Sequence, residues 1–169
     1  MLNRSLWTAI VIALTAFSFT ANANLDITCV LDDCLTEGWH VYDQRTGDSS
    51  IAVCREDDCL INGWNNEVRD RVVTETICKD GGCFNSGWIV YASNGRMLAD
   101  VSCQTSFATS DCLMYGWTTY EPGRGTYVTR CLNRDCATYG WDVQYAGFAP
   151  QPVRCKSGGC FSTGWTVYR

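Results

Sequence analysis

The sequence predicts an all-β fold made of six disulfide-stapled β-hairpin repeats of about 24 residues each. The chain has 169 residues with 12 Cys and 15 Gly but only 3 Pro. Every Cys belongs to a Cys-x4-Cys-x3-Gly-Trp motif, which occurs six times and is widened once to Cys-x8-Cys. Residues 24–169 contain only 28 Leu, Ile, Val and Phe, about 19 % of that stretch. Disulfides and aromatic residues must therefore replace much of an ordinary aliphatic core.

The first 23 residues read as a secretory signal peptide. Arg4 is followed by an apolar run from Leu6 to Phe19, and Ala21-Asn22-Ala23 is typical of a cleavage site. The run is shorter than the ~20 residues that a spanning helix needs, so we expect cleavage after Ala23 and no stable membrane insertion afterwards. The mature chain, residues 24–169, is then secreted or periplasmic, in a compartment where disulfides persist.

The repeats follow one another at steps of 25, 24, 25, 28 and 24 residues, measured between the first Cys of each unit. Units three and six share the pattern CK-x-GGCF-x-x-GW-x-VY, and units two and five share Arg and Asp before the second Cys. This ABCABC order indicates a duplicated three-unit block, with halves of roughly 24–98 and 99–169 inside one domain. The motifs span Cys29–Trp39, Cys54–Trp64, Cys78–Trp88, Cys103–Trp117, Cys131–Trp141 and Cys155–Trp165.

Each unit is predicted to be a β-hairpin followed by a cysteine loop. Short β-prone runs follow each Gly-Trp and precede each first Cys, and Asn94-Gly95 between two of them favours a two-residue type I′ turn. Four units carry Asp before the second Cys, and all six carry Gly four residues after it, which suits one helical turn capped by Asp and closed by Gly. Cation binding by the same carboxylates is the alternative. They are Asp33, Asp58, Asp111 and Asp135.

Period two along the strands after Gly-Trp assigns the tryptophans to one face and tyrosines to the other. We expect the Trp face to be the core, with each indole against a neighbouring disulfide, so that the repeats form six small cores in series. The predicted core tryptophans are Trp39, Trp64, Trp88, Trp117, Trp141 and Trp165. The tyrosines on the opposite face form a candidate binding row, composed of Tyr42, Tyr91, Tyr120 and Tyr168.

Repetition reduces the cysteine pairing to two schemes, within each loop or between consecutive units. We favour the local scheme, because the insertion in unit four lies wholly between its own two cysteines. Zinc binding is disfavoured in a secreted chain with one His, and we expect no metal or cofactor. The local pairs are Cys29–Cys34, Cys54–Cys59, Cys78–Cys83, Cys103–Cys112, Cys131–Cys136 and Cys155–Cys160.

The mature chain begins with the second strand of one hairpin, Leu25–Cys29, and ends with the first strand of another, Trp165–Arg169. Pairing of the two would close the repeats into a propeller-like ring, whereas an unpaired arrangement would leave an open solenoid. Pairing between molecules would instead give a head-to-tail filament. Residues 24–80 carry 13 acids and 5 bases, against 5 and 7 in residues 81–169, and this asymmetry would orient such a contact.

The sequence contains no constellation typical of catalysis. His40 is the single His, and the cysteines are expected to be oxidised, so Ser-His-Asp and thiolate chemistry are both excluded. A mature net charge of about −6 disfavours nucleic acid and anionic membranes as partners. We therefore expect a protein that is not an enzyme.

Binding is the function that the sequence favours, with a protein or a surface glycan as the partner. The Gly-Trp and Tyr cadence resembles the choline-binding, cell-wall-binding repeats of bacterial surface proteins, which lack this cysteine pair. No function or site is transferred from them. The alternatives are a structural subunit that assembles head to tail through the split hairpin, and an inhibitor of secreted enzymes with Gln104–Asp111 as its most exposed loop.

Overall fold

The structure is a computed structural model that describes residues 24–106 and 109–168. The predicted signal peptide lies outside the described residues. The described chain is almost entirely β-structure, with three one-turn helices and three 3₁₀ turns between strands. In the described ranges no helix has the length and apolar character needed to cross a bilayer.

Fourteen strands alternate with short turns along the described chain. The strands are β1 (Leu25–Cys29), β2 (Trp39–Asp43), β3 (Ser49–Cys54), β4 (Trp64–Val68), β5 (Arg71–Cys78), β6 (Gly87–Ala92), β7 (Met97–Cys103), β8 (Thr105–Ser106), β9 (Thr109–Ser110), β10 (Trp117–Glu121), β11 (Gly125–Cys131), β12 (Gly140–Gln144), β13 (Gln151–Cys155) and β14 (Trp165–Val167). The helices are α1 (Cys83–Ser86), α2 (Cys112–Tyr115) and α3 (Cys136–Tyr139), and the 3₁₀ turns are Val30–Asp32, Arg55–Asp57 and Leu132–Arg134.

Twelve of the strands form one closed antiparallel barrel, and β8 and β9 form a small hairpin inside the widened fourth loop. The barrel is closed by β1 and β14, with Leu25 opposite Val167 and Ile27 opposite Trp165. The predicted split hairpin is therefore completed within the molecule, and the open solenoid is wrong. The propeller-like ring is right about closure but wrong about architecture, because neighbouring units share one continuous hydrogen-bonded sheet and are not separate blades.

All six cysteine loops lie at the same end of the barrel. Six barrel strands end at a first Cys, and the barrel strand after each cysteine loop begins at or next to Trp. The local disulfide pairing is confirmed in all six units, and no Cys is free. Adjacent loops are also joined by backbone hydrogen bonds, such as those from Cys34 N to Phe161 O and from Cys59 N to Leu35 O. The loops therefore form a continuous layer that closes this end.

The six tryptophans form a closed ring inside the barrel, and each is at most 4 % exposed. Neighbouring ring centroids are 5.1–6.0 Å apart, and the planes are tilted by 53–62°, including the contact between Trp165 and Trp39 that crosses the β1–β14 seam. The prediction that Trp faces the core is confirmed, but the expectation of six separate cores is wrong. Barrel closure brings every indole against two others, so the buried side chains form one cluster.

The ring also buries the polar edge of several indoles. Among the described residues, Nε1 of Trp39, Trp88, Trp117 and Trp165 is buried without an oxygen or nitrogen acceptor. Edge-to-face packing sets the positive edge of one aromatic ring against the negative face of the next. Two of the six contacts in the ring, Trp39–Trp64 and Trp117–Trp141, are edge-to-face.

The Phe that units three and six share is explained by packing at the end of the barrel that carries the cysteine loops. Phe84 and Phe161 follow the second Cys of these two units, and their ring centroids are 5.2 Å apart across the barrel axis. Each also lies 6.1 Å from the Trp of its own unit. Six equivalent positions surround the axis, but the pair of Phe rings covers it. Leu or Ala occupies the other four positions.

One predicted turn is wrong. A type I′ turn at Asn94-Gly95 needs positive φ at both residues, yet of the two only Gly95 has it (φ +79°). Hydrogen bonds from Gly95 N to Ala92 O and from Ala92 N to Arg96 O close a longer loop between β6 and β7. The two-residue turn with positive φ at both central positions occurs instead at Arg69-Asp70, between β4 and β5.

Candidate binding surface

The outer wall of the barrel carries the four tyrosines of the candidate binding row. They alternate with inward residues, as in β2, where Trp39, Val41 and Asp43 are buried while His40 and Tyr42 are exposed. Tyr42, Tyr120 and Tyr168 are 48 %, 47 % and 43 % exposed, and Tyr91 is half-buried. Aromatic area of this size on the surface is available for contact with a ligand.

The structure divides this row into two pairs on opposite sides of the barrel. Tyr42 and Tyr168 lie on or beside the strands that flank β1, and Tyr91 and Tyr120 lie on the strands that flank β7. In the order of the twelve strands, β1 and β7 are diametrically opposed. Strands two apart in a sheet are separated by about 10 Å, which is within the span of a short oligosaccharide or peptide.

An aspartate lies between the tyrosines of each pair. Asp26 on β1 lies directly opposite Tyr42 on one neighbouring strand and Thr166 on the other. Thr166 is two residues before Tyr168. Asp100 on β7 lies in the same way between Tyr120 and Ile89. Ile89 is two residues before Tyr91. The two tyrosine pairs, each with its central strand, are called the outer patches below.

Each outer patch also holds a lysine that fixes the aspartate. Lys156 Nζ lies 2.8 Å from Asp26 Oδ1 and donates to Thr28 Oγ1 at 2.7 Å. In the other patch Lys79 Nζ lies 2.6 Å from Asp100 Oδ1 and donates to Ser102 Oγ at 2.9 Å. The two patches therefore repeat the same arrangement of polar and aromatic groups.

Sequence reasoning did not single out these aspartates and lysines as part of the surface. The signal was present, because both aspartates stand three residues before a first Cys and both lysines stand directly after one. What the linear pattern lacked was the pairing between units. Asp26 and Lys156 are at opposite ends of the chain, and the seam brings them together.

The aspartates before the second Cys act as caps. Asp33 Oδ1 accepts hydrogen bonds from the backbone N–H groups of Leu35 and Thr36, and Asp33 Oδ2 accepts one from the Thr36 hydroxyl. The Thr36 hydroxyl and these N–H groups hold the pKa of Asp33 below its ordinary value. Asp58, Asp111 and Asp135 accept equivalent backbone bonds. In the described part of the chain, no group of three or more His, Cys, Asp or Glu is placed to hold a metal ion.

At the other end of the barrel, the β10–β11 hairpin buries a carboxyl group. Glu121 is 7 % exposed, its Oε1 accepts a hydrogen bond from Tyr127 Oη at 2.8 Å, and its Oε2 lies 3.4 Å from Arg124 Nη1. Burial raises the pKa of Glu121 above its ordinary value and also raises that of Tyr127. Tyr127 stacks against Tyr145 with centroids 4.5 Å apart, so this group is built into the packing of the barrel end.

The outer patches are therefore the described surface that best combines exposed aromatic rings with fixed charges. No protein-family model, no curated protein and no solved structure matches this chain.

Proposed function

We propose that this protein is a non-catalytic binding module of the secreted or periplasmic space that holds a surface glycan on its two outer patches. The observation that supports this most directly is the repetition of one arrangement, two tyrosines around a lysine-fixed aspartate, at two opposed places on the barrel. Cross-strand packing alone would account for exposed tyrosines, whereas the lysine-fixed aspartate adds a polar group that a sugar can contact beside each pair.

The residue types suit a carbohydrate. Tyr presents a flat apolar face that can stack on the C–H face of a sugar ring, together with a hydroxyl that stays hydrated. Asp26 and Asp100 offer carboxylate oxygens to sugar hydroxyls, and charge-assisted hydrogen bonds of this kind are stronger than neutral ones. The lysines hold these carboxylates in place before a ligand arrives, which reduces the entropy cost of binding.

Two equivalent patches on opposite walls make the module bivalent. Each patch can bind one polysaccharide chain of the same surface. Simultaneous binding at the two patches raises the overall affinity far above that of either patch. Six disulfides in a small barrel are typical of proteins that work in an oxidising compartment, where cell-surface polysaccharides are found.

Retention on insoluble polysaccharides tests this proposal. We expect the disulfide-bonded protein to be retained on at least one of peptidoglycan, chitin and β-glucan. Tyr42→Ala with Tyr168→Ala should remove one patch and about half of the binding capacity, and adding Tyr91→Ala with Tyr120→Ala should abolish retention. Tyr139→Ala is the matched control, because Tyr139 is 49 % exposed but lies on a cysteine loop. Unchanged retention in the fourfold variant, or no retention of the unmodified protein on any of the three, would contradict the proposal.

Head-to-tail assembly is the second candidate. The observation that bears on it is the β1–β14 seam, where Leu25, Asp26 and Ile27 pair with Val167, Thr166 and Trp165. Filament formation would require β1 to leave this seam and pair with β14 of the next molecule. For the inhibitor hypothesis, the small β8–β9 hairpin in the loop 104–111 is the candidate contact.

A further inference from the structure

The end of the barrel that carries the cysteine loops exposes an apolar surface, which meets the outer patches at Lys79 and Lys156. This loop face consists of residues 30–38, 55–63, 79–87, 104–106, 109–116, 132–140 and 156–164. Leu31 is 81 % exposed and Ile61 is 64 % exposed, and Met114 and Tyr139 are also exposed. The same end holds Phe84 and Phe161, whose rings meet and are half-buried. Exposed apolar residues clustered at one end of a small barrel indicate an interaction site.

Leu31 is also held in an unfavourable backbone conformation. Its φ and ψ are 48° and 33°, the left-handed region that a branched apolar residue rarely adopts. Glu56 and Asn133 occupy the equivalent positions in units two and five. An exposed leucine at such a position gains little from its own fold, because it is strained and its side chain contacts water. Backbone strain of this kind concentrates at functional sites.

The charge on the loop face is uneven. The first three loops carry five exposed carboxylates, on Asp32, Glu37, Glu56, Asp57 and Asp80. Among the described residues of the last three loops, the one exposed charged side chain is the cation Arg134. Asp111, Asp135 and Lys156 are half-buried. The exposed leucine and isoleucine thus lie on the acidic half of the face.

We infer that the acidic half of the loop face docks a basic amphipathic segment of a partner protein. Its apolar side would cover Leu31 and Ile61, and its Lys and Arg residues would meet the surrounding carboxylates. Complementary charge around an apolar centre is the arrangement found in specific protein interfaces. The loop face and the outer patches are at different places on the barrel, so the protein would connect a glycan to a protein.

A designed peptide tests this inference on the whole disulfide-bonded protein. The probe is an 18-residue amphipathic helix of Leu and Lys, and its control replaces each Lys by Glu. We expect the Lys peptide to bind, with an affinity that falls as salt rises, and the Glu peptide not to bind. Leu31→Asn should weaken binding about tenfold or more, the loss expected for one buried leucine. Asn tolerates positive φ, so the same change should raise the thermal midpoint.

Matched variants at the opposite end separate this site from general attraction of a cation to an acidic protein. Arg69 and Asp70 occupy a turn with the same positive φ as Leu31 and Asp57. Arg69→Asn should raise the thermal midpoint without weakening the binding of the Lys peptide. Asp70→Asn should change the affinity for this peptide far less than Asp57→Asn does. Equal effects of Asp57→Asn and Asp70→Asn would overturn the inference. So would Leu31-dependent binding to phosphatidylcholine vesicles or a Leu31-dependent dimer, because each would assign the face to another occupant.

Tyr42→Ala with Tyr168→Ala should leave peptide binding unchanged. The peptide experiment therefore tests the loop face independently of glycan binding.

Discussion

Single residues decide how closely the repeats of this barrel can approach one another. The glycine before each tryptophan has positive φ, and a Cβ built on it would lie 2.0–2.3 Å from a carbonyl oxygen of the next strand. At Gly38 that oxygen belongs to Ala52, opposite the adjacent Trp39. Only a residue without a side chain lets the strand start there, so the Gly-Trp pair is required both for the turn and for the inward position of the indole.

Gly38 and Gly47 provide a direct test of this requirement. Both have positive φ, but a Cβ at Gly47 would meet nothing within 4 Å. Gly47→Ala should therefore cost about 1–2 kcal/mol of unfolding free energy from backbone strain alone. Gly38→Ala should cost more than about 4 kcal/mol or prevent folding, since a backbone atom must move. Equal denaturation midpoints for the two variants would show that the close contact is relieved at little cost.

At the scale of elements, the hairpins and the cysteine loops have different chemistry at the two ends of the barrel. The loops are closed by disulfides, caps and hydrogen bonds to the next loop, and they contain left-handed residues such as Leu31, Glu56 and Asn133. The β10–β11 hairpin at the other end encloses Glu121 with Tyr127 and Arg124. Because burial raises the pKa of Glu121, the native state binds this proton more tightly than the unfolded chain does.

This hairpin is predicted to make a pH-dependent contribution to stability. A carboxyl group whose pKa is raised by folding stabilises the native state at low pH, and the contribution is lost as the pH rises from its unfolded value through its folded value. Glu121→Gln removes the buried charge and keeps an acceptor for Tyr127. We expect a higher thermal midpoint than that of the unmodified protein at pH 7, and a smaller difference at pH 4. A lower midpoint at pH 7 would mean that the contact with Arg124 outweighs the cost of burial.

At the scale of the whole molecule, closure determines the properties of the barrel. Paired β1 and β14 leave neither as a free edge, and free edges are the usual sites of strand-mediated association. The seam also completes the tryptophan ring through Trp39 and Trp165 and assembles one outer patch through Asp26 and Lys156. Core packing, the closure of both strand edges and the candidate glycan site thus depend on the same three pairs of residues.

Deletion of residues 24–28 distinguishes a closed barrel from a filament subunit. If the seam closes each molecule, a chain of residues 24–169 should remain monomeric at every concentration, and the deletion should expose two edges and cause association. If the chain assembles head to tail, the full chain should grow with concentration and the deletion should abolish growth. Light scattering against concentration measures both, and the two hypotheses predict opposite changes.

Local features of the fold could be read from the sequence because each is encoded within one unit. Cys54 and Cys59 are five residues apart and pair with each other, and alternation within four residues is enough to point Trp39 inward and Tyr42 outward. The turn at Asn94-Gly95 could not be read in this way, since a bulge between Val90 and Tyr91 shifts the register of the hairpin and lengthens its loop. Turn type depends on strand register, which the two turn residues do not fix.

The sequence by itself determined the six units and their duplication, favoured the local disulfides and indicated the inward face of the strands that follow Gly-Trp. Tertiary structure alone decided that the units share one core, that four tyrosines divide into two opposed patches, and that the loops form one apolar and acidic face. The physical reason is distance along the chain. Ile27 and Trp165 become neighbours only when twelve strands tilt and stagger enough to close a barrel. That condition belongs to the whole sheet, and no single repeat contains it.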